Sequence, residues 1–166
     1  MNRSRIVLTT LLLAGAVFGA FLLGGSTSGP DPADAADFAP MEVLRSAHGD
    51  VTAVVAVTIK GKTYPFVVDT GASGSVIDIR AARKLGLAPI GRSSKVTGVG
   101  GKVRAVPIIV NSWAVGPVPL PRLRIDAVPL AEAAHGGPIG LLGADVLSRY
   151  KSVTLDFKHE QLQLGR

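Results

Sequence analysis

From residue 44 onward the sequence is a succession of short β-branched and apolar runs separated by turn residues, and this spacing constrains the fold most. Residues 51–59 and 64–68 are two such runs, and the Lys-Gly-Lys-Thr segment between them is typical of a β-hairpin turn. Runs of this length favour strands over helices. The sequence therefore predicts one mainly β domain over residues 44–166, which is an ordinary size for a single core.

The remaining elements follow from the same pattern. A short helix is predicted at residues 78–85, where Gly86 ends it, and another from Gly143 to Tyr150. No internal repeat and no second copy of the first half is present in the sequence. Further strands are predicted at residues 95–99, 103–110, 123–128, 139–142, 153–157 and 161–164, the last two as a closing hairpin.

The N-terminal part is different in composition. Residues 1–5 form a basic segment, and residues 6–23 carry no charge, a length of about 27 Å as a helix. We therefore expect residues 6–24 to be a transmembrane signal anchor, with a cleaved signal peptide as the alternative. Arginines before the span and aspartates after it predict that the rest of the chain lies outside the cytoplasm, periplasmic or at the cell surface, or secreted after cleavage.

Residues 25–43 are rich in Gly, Pro, Ser, Ala and Asp, which predicts a flexible linker. From residue 38 onward the chain has 16 Lys and Arg against 9 Asp and Glu, a net charge of +7. These basic residues are scattered and lack interleaved aromatic residues, so no nucleic-acid partner is predicted. A solvated basic surface is the interpretation, and weak attraction to anionic lipid or polymer is its alternative.

Metal and cofactor chemistry finds no support in the sequence. Cysteine is absent, which excludes disulfides, thiolate zinc sites and a cysteine nucleophile. His48, His135 and His159 lie far apart with no ligand spacing. The glycine-rich residues 97–103 lack the Gly-Lys-Ser/Thr run of a phosphate loop. We therefore predict neither a metal nor another cofactor.

One carboxylate stands in an unusual position. Residues 66–73 read FVVDTGAS, so Asp69 directly follows an apolar strand and precedes a Thr-Gly turn. Burying an unpaired carboxylate costs several kcal/mol, so another group must share its charge. A second apolar strand, within residues 139–147 (IGLLGADVL), runs into Gly143 and then into the second predicted helix.

Together with the glycine-rich hairpin, these two segments resemble the signatures of single-lobed aspartic peptidases of the retroviral (retropepsin-like) type, most closely their bacterial membrane-tethered relatives. The resemblance spans about residues 51–164 and implies a closed β-barrel with one or two short helices. It further implies an aspartic endopeptidase that binds a peptide or protein substrate. The implied catalytic residues are Asp69, Thr70 and Gly71, and the implied substrate-binding residues are Ala72, Ser73, Gly98, Gly100 and Gly101.

Within this resemblance, Asp69 is the catalytic acid, and the Thr70 hydroxyl locks the active-site loops of two subunits together. The Gly71 carbonyl meets the substrate backbone, and the hairpin around Gly100 is a mobile flap. Ala72 occupies the position where many two-lobed acid peptidases carry a serine, so activity at extremely low pH is not expected. Ser73 replaces a retroviral aspartate that binds the substrate main chain. Ala144-Asp145 replaces the Arg-Asn pair of those enzymes.

The chemistry needs two carboxylates. Two carboxyl groups about 3 Å apart share one proton, so that one activates water while the other donates to the scissile carbonyl. This sequence has one Asp-Thr-Gly and no Asp-Ser-Gly, and Asp145 is better explained by a helix's first turn. The partner carboxylate must therefore come from a second copy, which predicts a homodimer. A dimeric binding module without turnover and a monomeric structural protein are the alternatives.

Overall fold

The computed structural model describes residues 38–98 and 101–165 of the chain. These residues form a mainly β domain with two short α-helices and one 3-10 turn, Glu132–His135. The helices are α1 (Ile79–Lys84) and α2 (Ala144–Leu147). The strands are β1 (Phe38–Arg45), β2 (Val51–Ile59), β3 (Lys62–Val68), β4 (Val76–Asp78), β5 (Ser94–Gly98), β6 (Gly101–Val110), β7 (Trp113–Val115), β8 (Val118–Pro119), β9 (Leu123–Val128), β10 (Gly140–Leu142), β11 (Ser152–Asp156) and β12 (Gln161–Gly165).

The predicted hairpin between β2 and β3 is confirmed, with a tighter turn than expected. Lys60 and Gly61 form the turn with φ values of 49° and 77°. Two successive positive φ values define the type I′ turn, whose twist matches that of the flanking strands. The Lys60 ammonium group also donates to the carbonyls of Leu85 and Gly86, at 3.0 and 3.2 Å, and so binds the C-terminal end of α1.

The strands form one sheet, but the predicted closed barrel is wrong. The hydrogen-bonded order is β11-β12-β1-β2-β3-β10-β4-β9-β6-β5, and no pairing among the described strands joins β5 to β11. The sheet branches at β2, whose residues 51–55 pair with β1 and whose residues 57–59 pair with β7. A barrel needs an unbroken ring of paired strands, and within the described residues the end strands β5 and β11 each keep one free edge.

Strand β1 includes residues 38–43, which the sequence assigned to the linker. Ala39 and Met41 are buried while Pro40 and Glu42 are exposed, the alternation of a strand with one face on the core. Proline lacks a backbone N–H and weakens a strand pattern, which explains the misassigned boundary. Because β1 pairs with both β2 and β12, it joins the closing hairpin to the rest of the sheet.

The core lies between the layers of the folded sheet. Its fully buried side chains come from distant strands and include Phe66, Ile77, Ile108, Leu142 and Leu162. Such burial contributes about 1.5–3 kcal/mol for each large side chain. The core therefore fixes β3, β4 and β10 relative to one another, and these are the strands that border the Asp69 loop.

Asp78 is the buried N-cap of α1. Its Oδ1 accepts the backbone N–H groups of Arg80 and Ala81, and its Oδ2 accepts the Leu130 N–H at 3.1 Å. The Arg80 guanidinium contacts the same carboxylate and also donates to the Leu130 carbonyl. Burial raises the pKa of Asp78, but the hydrogen bonds from Arg80, Leu130 and Ala81 together hold this pKa below its ordinary value of 3.8. Asp78 thereby fixes the start of the loop between β9 and β10.

Asp78→Asn is expected to lower the free energy of unfolding by about 1–3 kcal/mol at pH 7, because a hydrogen-bonded charge at a helix cap is lost. Since the folded pKa is depressed, this stabilisation is present above the unfolded value of 3.8 and disappears as the pH falls through the folded pKa. Urea unfolding of both proteins at several pH values measures the difference, with exposed Glu42→Gln as control. A difference that stays constant from pH 7 to about pH 2 would contradict this assignment.

No helix within residues 38–98 and 101–165 is long and apolar enough to span a membrane. The predicted anchor at residues 6–24 lies outside the described residues. Its topology stays a prediction from sequence.

Candidate active site

The site is built by a strand insertion. The chain leaves β3 at Val68, forms the loop of residues 69–75 and returns as β4, but β3 and β4 do not pair with each other. Strand β10 lies between them, parallel to β3 and antiparallel to β4. Its Leu142 lies opposite Val68, and the Leu142 carbonyl accepts the Asp69 N–H at 3.0 Å. The two sequence segments singled out above therefore meet in the fold.

Asp69 is held by its own loop. Its Oδ1 accepts the backbone N–H groups of Gly71 at 2.9 Å and Ala72 at 3.2 Å. Among the described residues, none donates a hydrogen bond to Oδ2. The side chain is half-buried in the single chain, so the expectation of a buried, unpaired carboxylate is replaced by one oxygen fixed by backbone and one oxygen available.

The other residues of this loop occupy distinct positions. Thr70, Gly71 and Ser73 are exposed, while Ala72 is buried. A Cβ at Gly71 would lie 3.3 Å from Asp69 Oδ1, so a side chain here would press on the oriented carboxylate. The structure thus places the predicted residues 69–73 together on one exposed loop.

Ser75 links this loop to α2, a contact that the sequence did not predict. The Ser75 hydroxyl donates to Asp145 Oδ1 at 2.6 Å and accepts the Gly143 N–H at 2.9 Å. Asp145 Oδ1 also accepts the Ser75 and Val146 N–H groups, both at 2.9 Å. The predicted position of Asp145 in the first turn of a helix is confirmed, and the structure adds that Asp145 fixes the end of the Asp69 loop. Nothing local in the sequence marks Ser75 for this contact.

Gly143 lies where two backbone segments are closest. A Cβ on Gly143 would lie 2.7 Å from the Gly74 carbonyl carbon and 2.9 Å from the Ala72 carbonyl oxygen. The neighbouring Ala144 N–H donates to that Ala72 oxygen at 2.8 Å. Only glycine allows the start of α2 to pack so closely against the Asp69 loop.

The predicted glycine-rich hairpin is present. β5 and β6 pair in antiparallel register with Gly98 opposite Gly101, and Gly101 has a φ of 106°. Val99 and Gly100, which join the two strands, lie outside the described residues. The predicted hairpin is therefore confirmed, with Gly98 and Gly101 at the ends of its strands next to the turn. The predicted flap residue Gly100 stays a prediction.

The three histidines lie in separate exposed places. His48 is in the β1–β2 turn, His135 in the 3-10 turn and His159 in the β11–β12 turn, where its Nδ1 lies 2.7 Å from Asp156. Within the described ranges, no three His, Cys, Asp or Glu residues are grouped so that they could hold a metal ion.

The class of protein follows from this loop, strand insertion and sequence taken together. A family model described as aspartyl protease matches residues 55–146, which is more than half of the chain and includes both halves of the site. The chain belongs to this family of aspartic peptidases.

Comparison of structures agrees with the family. The fold is similar to that of a retropepsin-like aspartic protease from Rickettsia conorii, with a TM-score of 0.52. The two sequences are 24% identical, and the match covers 74% of this chain and 95% of that one. The EIAV protease in complex with the inhibitor HBY-793 is 23% identical, with a TM-score of 0.45 and coverage of 58% of this chain and 85% of that one. No curated protein sequence matches the chain significantly. The chain is thus an aspartic peptidase by family, and its fold is similar to that of a retropepsin-like aspartic protease.

Proposed function

We propose that the protein is a homodimeric endopeptidase whose catalytic pair consists of Asp69 from each of two subunits. The observation that carries this proposal is the Asp69 carboxylate, with Oδ1 fixed by two backbone N–H groups and Oδ2 without a described donor. One such carboxylate supplies half of the chemistry of an aspartic peptidase. A two-fold axis beside the exposed loop would bring a second, identical carboxylate to the first.

In the proposed reaction the two Asp69 side chains share one proton, because two carboxylates in contact cannot both ionise. The ionised Asp69 takes a proton from a bound water molecule as the water oxygen bonds to the scissile carbonyl carbon. The other Asp69 donates its proton to the carbonyl oxygen. The tetrahedral intermediate then breaks its C–N bond: the protonated Asp69 donates its proton to the leaving nitrogen, and the ionised Asp69 accepts a proton from one hydroxyl of the intermediate, which becomes the carboxyl group of the product. Acid and base are restored for the next cycle.

The neighbouring loop residues have supporting roles in this proposal. Thr70 is exposed beside Asp69, where its hydroxyl would contact the partner subunit's loop. The carbonyl of exposed Gly71 would receive the substrate backbone, with Ala72 and Ser73 alongside it. The β5–β6 hairpin, with Gly98, Gly100 and Gly101 at its tip, would close over the substrate as a flap.

The proposal also places the domain on the outer side of a membrane. Residues 6–24 would anchor the chain as a single span, and the segment ahead of β1 would connect anchor and peptidase domain. Anchoring both subunits in one bilayer raises their local concentration and so favours pairing.

A dilution series tests the proposed dimer. We expect specific activity of the full chain on a peptide library to rise with protein concentration until the dimer saturates, because one chain holds only half of the acid pair. A peptide with a hydroxyl in place of the scissile carbonyl should inhibit, as a mimic of the tetrahedral intermediate. Light scattering gives the concentration at which the chain is fully dimeric. Specific activity that stays constant from the lowest concentration up to that point would contradict the shared pair.

A further inference from the structure

One face of the β5–β6 hairpin is basic. Directly opposite residues on antiparallel strands point to the same face, so the pairs Lys95–Arg104 and Thr97–Lys102 share one face. All four side chains are exposed. The other face carries Val96 and Val103, both half-buried. This hairpin therefore presents three cations on one side and apolar residues on the other.

Among the described residues, these cations have no acidic ion-pair partner. Within residues 38–98 and 101–165, the ion pairs are Arg80–Asp78 and His159–Asp156, and neither includes Lys95, Lys102 or Arg104. Like charges directly across a strand pair destabilise a sheet, and Lys95 and Arg104 are such a pair. The hairpin thus keeps an unfavourable arrangement that a bound anion would relieve.

A groove continues this basic face towards α1. It has a volume of about 390 Å³, and its lining residues include Arg83 and Arg104, both of which are exposed. A second groove, along the hairpin itself, includes Lys95 and Lys102 and shares Arg104 with the first. Neither groove has an Asp or Glu among the described residues that line it. The floor of the first groove is apolar and includes Leu87, Val106 and Ile108.

The free edge of β5 indicates the shape of the occupant. Among the described strands, β5 pairs only with β6, so its outer edge offers unpaired backbone groups to an extended chain. A strand added there would place every second side chain beside Lys95 and Thr97, and the others on the side of Val96. A bilayer surface is flat on this scale and has no backbone to pair with this edge.

We infer that this surface, made of Lys95, Lys102, Arg104 and Arg83 with the β5 edge, binds an extended segment that alternates acidic and apolar residues. The inference rests on the proposed peptidase function in one respect: the segment belongs to a protein substrate, outside the residues at the scissile bond. The surface selects substrates by an acidic stretch, separately from the residues that contact Asp69.

Binding to an uncleaved probe tests this inference without turnover. The full-length Asp69→Asn chain, in neutral detergent, is titrated against a fluorescent peptide of alternating Glu and Val and against its Gln-for-Glu counterpart, with anisotropy as the readout. We expect the acidic peptide to bind about fivefold tighter at low salt, since exposed ion pairs contribute modestly. The gain should vanish at about 0.5 M salt, where charges are screened within a few ångströms.

Two double variants test which cations cause the tighter binding of the acidic peptide. Lys95→Gln with Arg104→Gln should abolish the preference for the acidic peptide, whereas Arg45→Gln with Lys62→Gln, exposed cations on β1 and β3, removes equal charge and should preserve it. Equal binding of both peptides, or equal loss in both double variants, would overturn the inference. So would protection of Lys95 from amine labelling in phosphatidylglycerol nanodiscs without any binding of the acidic peptide, since this would assign the surface to lipid headgroups.

Cleavage separates this inference from the proposed function. Wild-type chain should cleave a peptide with an acidic extension more efficiently than one with a neutral extension, and the ratio of the two kcat/KM values should fall towards one in the Lys95→Gln, Arg104→Gln variant. Cleavage of both peptides with a ratio of one in the wild type would overturn the inference and leave the peptidase proposal standing. Tight binding of the acidic peptide without cleavage of either peptide would overturn the peptidase proposal and leave the binding surface standing.

Discussion

Asp69→Asn is expected to abolish peptide cleavage while leaving the fold and the proposed dimer intact. Asparagine keeps an oxygen that can accept the Gly71 and Ala72 N–H groups, so the loop should retain its shape. It cannot act as a base or hold the shared proton, so a loss of at least about 10³-fold is expected from removal of both roles. Circular dichroism and light scattering check fold and size alongside the cleavage assay.

Mixing the variant with wild type is the sharper measurement. With free subunit exchange, an equal mixture leaves about one quarter of dimers with two Asp69 side chains, so total activity should fall to about one quarter of that of pure wild type. Simple dilution would leave about one half. An activity at the dilution value under conditions of proven exchange would mean that each chain works alone, and the shared pair would have to be abandoned.

Gly143→Ala is expected to lower the free energy of unfolding by about 1–3 kcal/mol. It is also expected to lower the cleavage activity by about 10²-fold. The added Cβ would lie 2.7 to 2.9 Å from backbone atoms of Gly74 and Ala72, and backbone in a packed loop cannot turn aside as a long side chain does. The strain would move the loop that carries Asp69, and displacement by about 1 Å is enough to cost about 10²-fold in rate.

Gly74→Ala is the matched control. It adds the same methyl group to the opposing segment, where the nearest atom is Asp145 Oδ2 at 4.0 Å, an ordinary contact. Its midpoint of urea unfolding should therefore stay close to that of the wild type. Equal unfolding midpoints for Gly143→Ala and Gly74→Ala would show that the close approach at residue 143 is not what positions the loop.

Local sequence signals predicted the elements whose structure is decided locally. The hairpin turn at Lys60-Gly61 needs positive φ, the end of α1 at Gly86 needs the same, and β9 was predicted with its observed bounds. The Asp69 loop and the strand leading to Gly143 were found because apolar runs ending in Asp-Thr-Gly and Gly-Ala-Asp resemble a known family.

What the sequence did not predict depends on contacts between distant segments. β1 was hidden by Pro40, and its strand pattern makes sense only beside β2 and β12. The open sheet reflects the absence of pairing between the end strands β5 and β11 among the described strands, and no local pattern specifies such a long-range pairing. The bridge from Ser75 to Asp145 joins residues 70 positions apart, and serine is common in turns for local reasons.

The insertion of β10 between β3 and β4 also determines the stage of chain synthesis at which the molecule can become catalytically active. Val68 must pair with Leu142, so the loop around Asp69 cannot acquire its shape until most of the chain has been synthesised. Contacts this far apart in sequence close late and slowly, because the entropy of the intervening chain is lost before they form. A growing chain therefore carries Asp69 on a loop without its supporting strand, and hydrolytic capacity arises only when the C-terminal third has been synthesised.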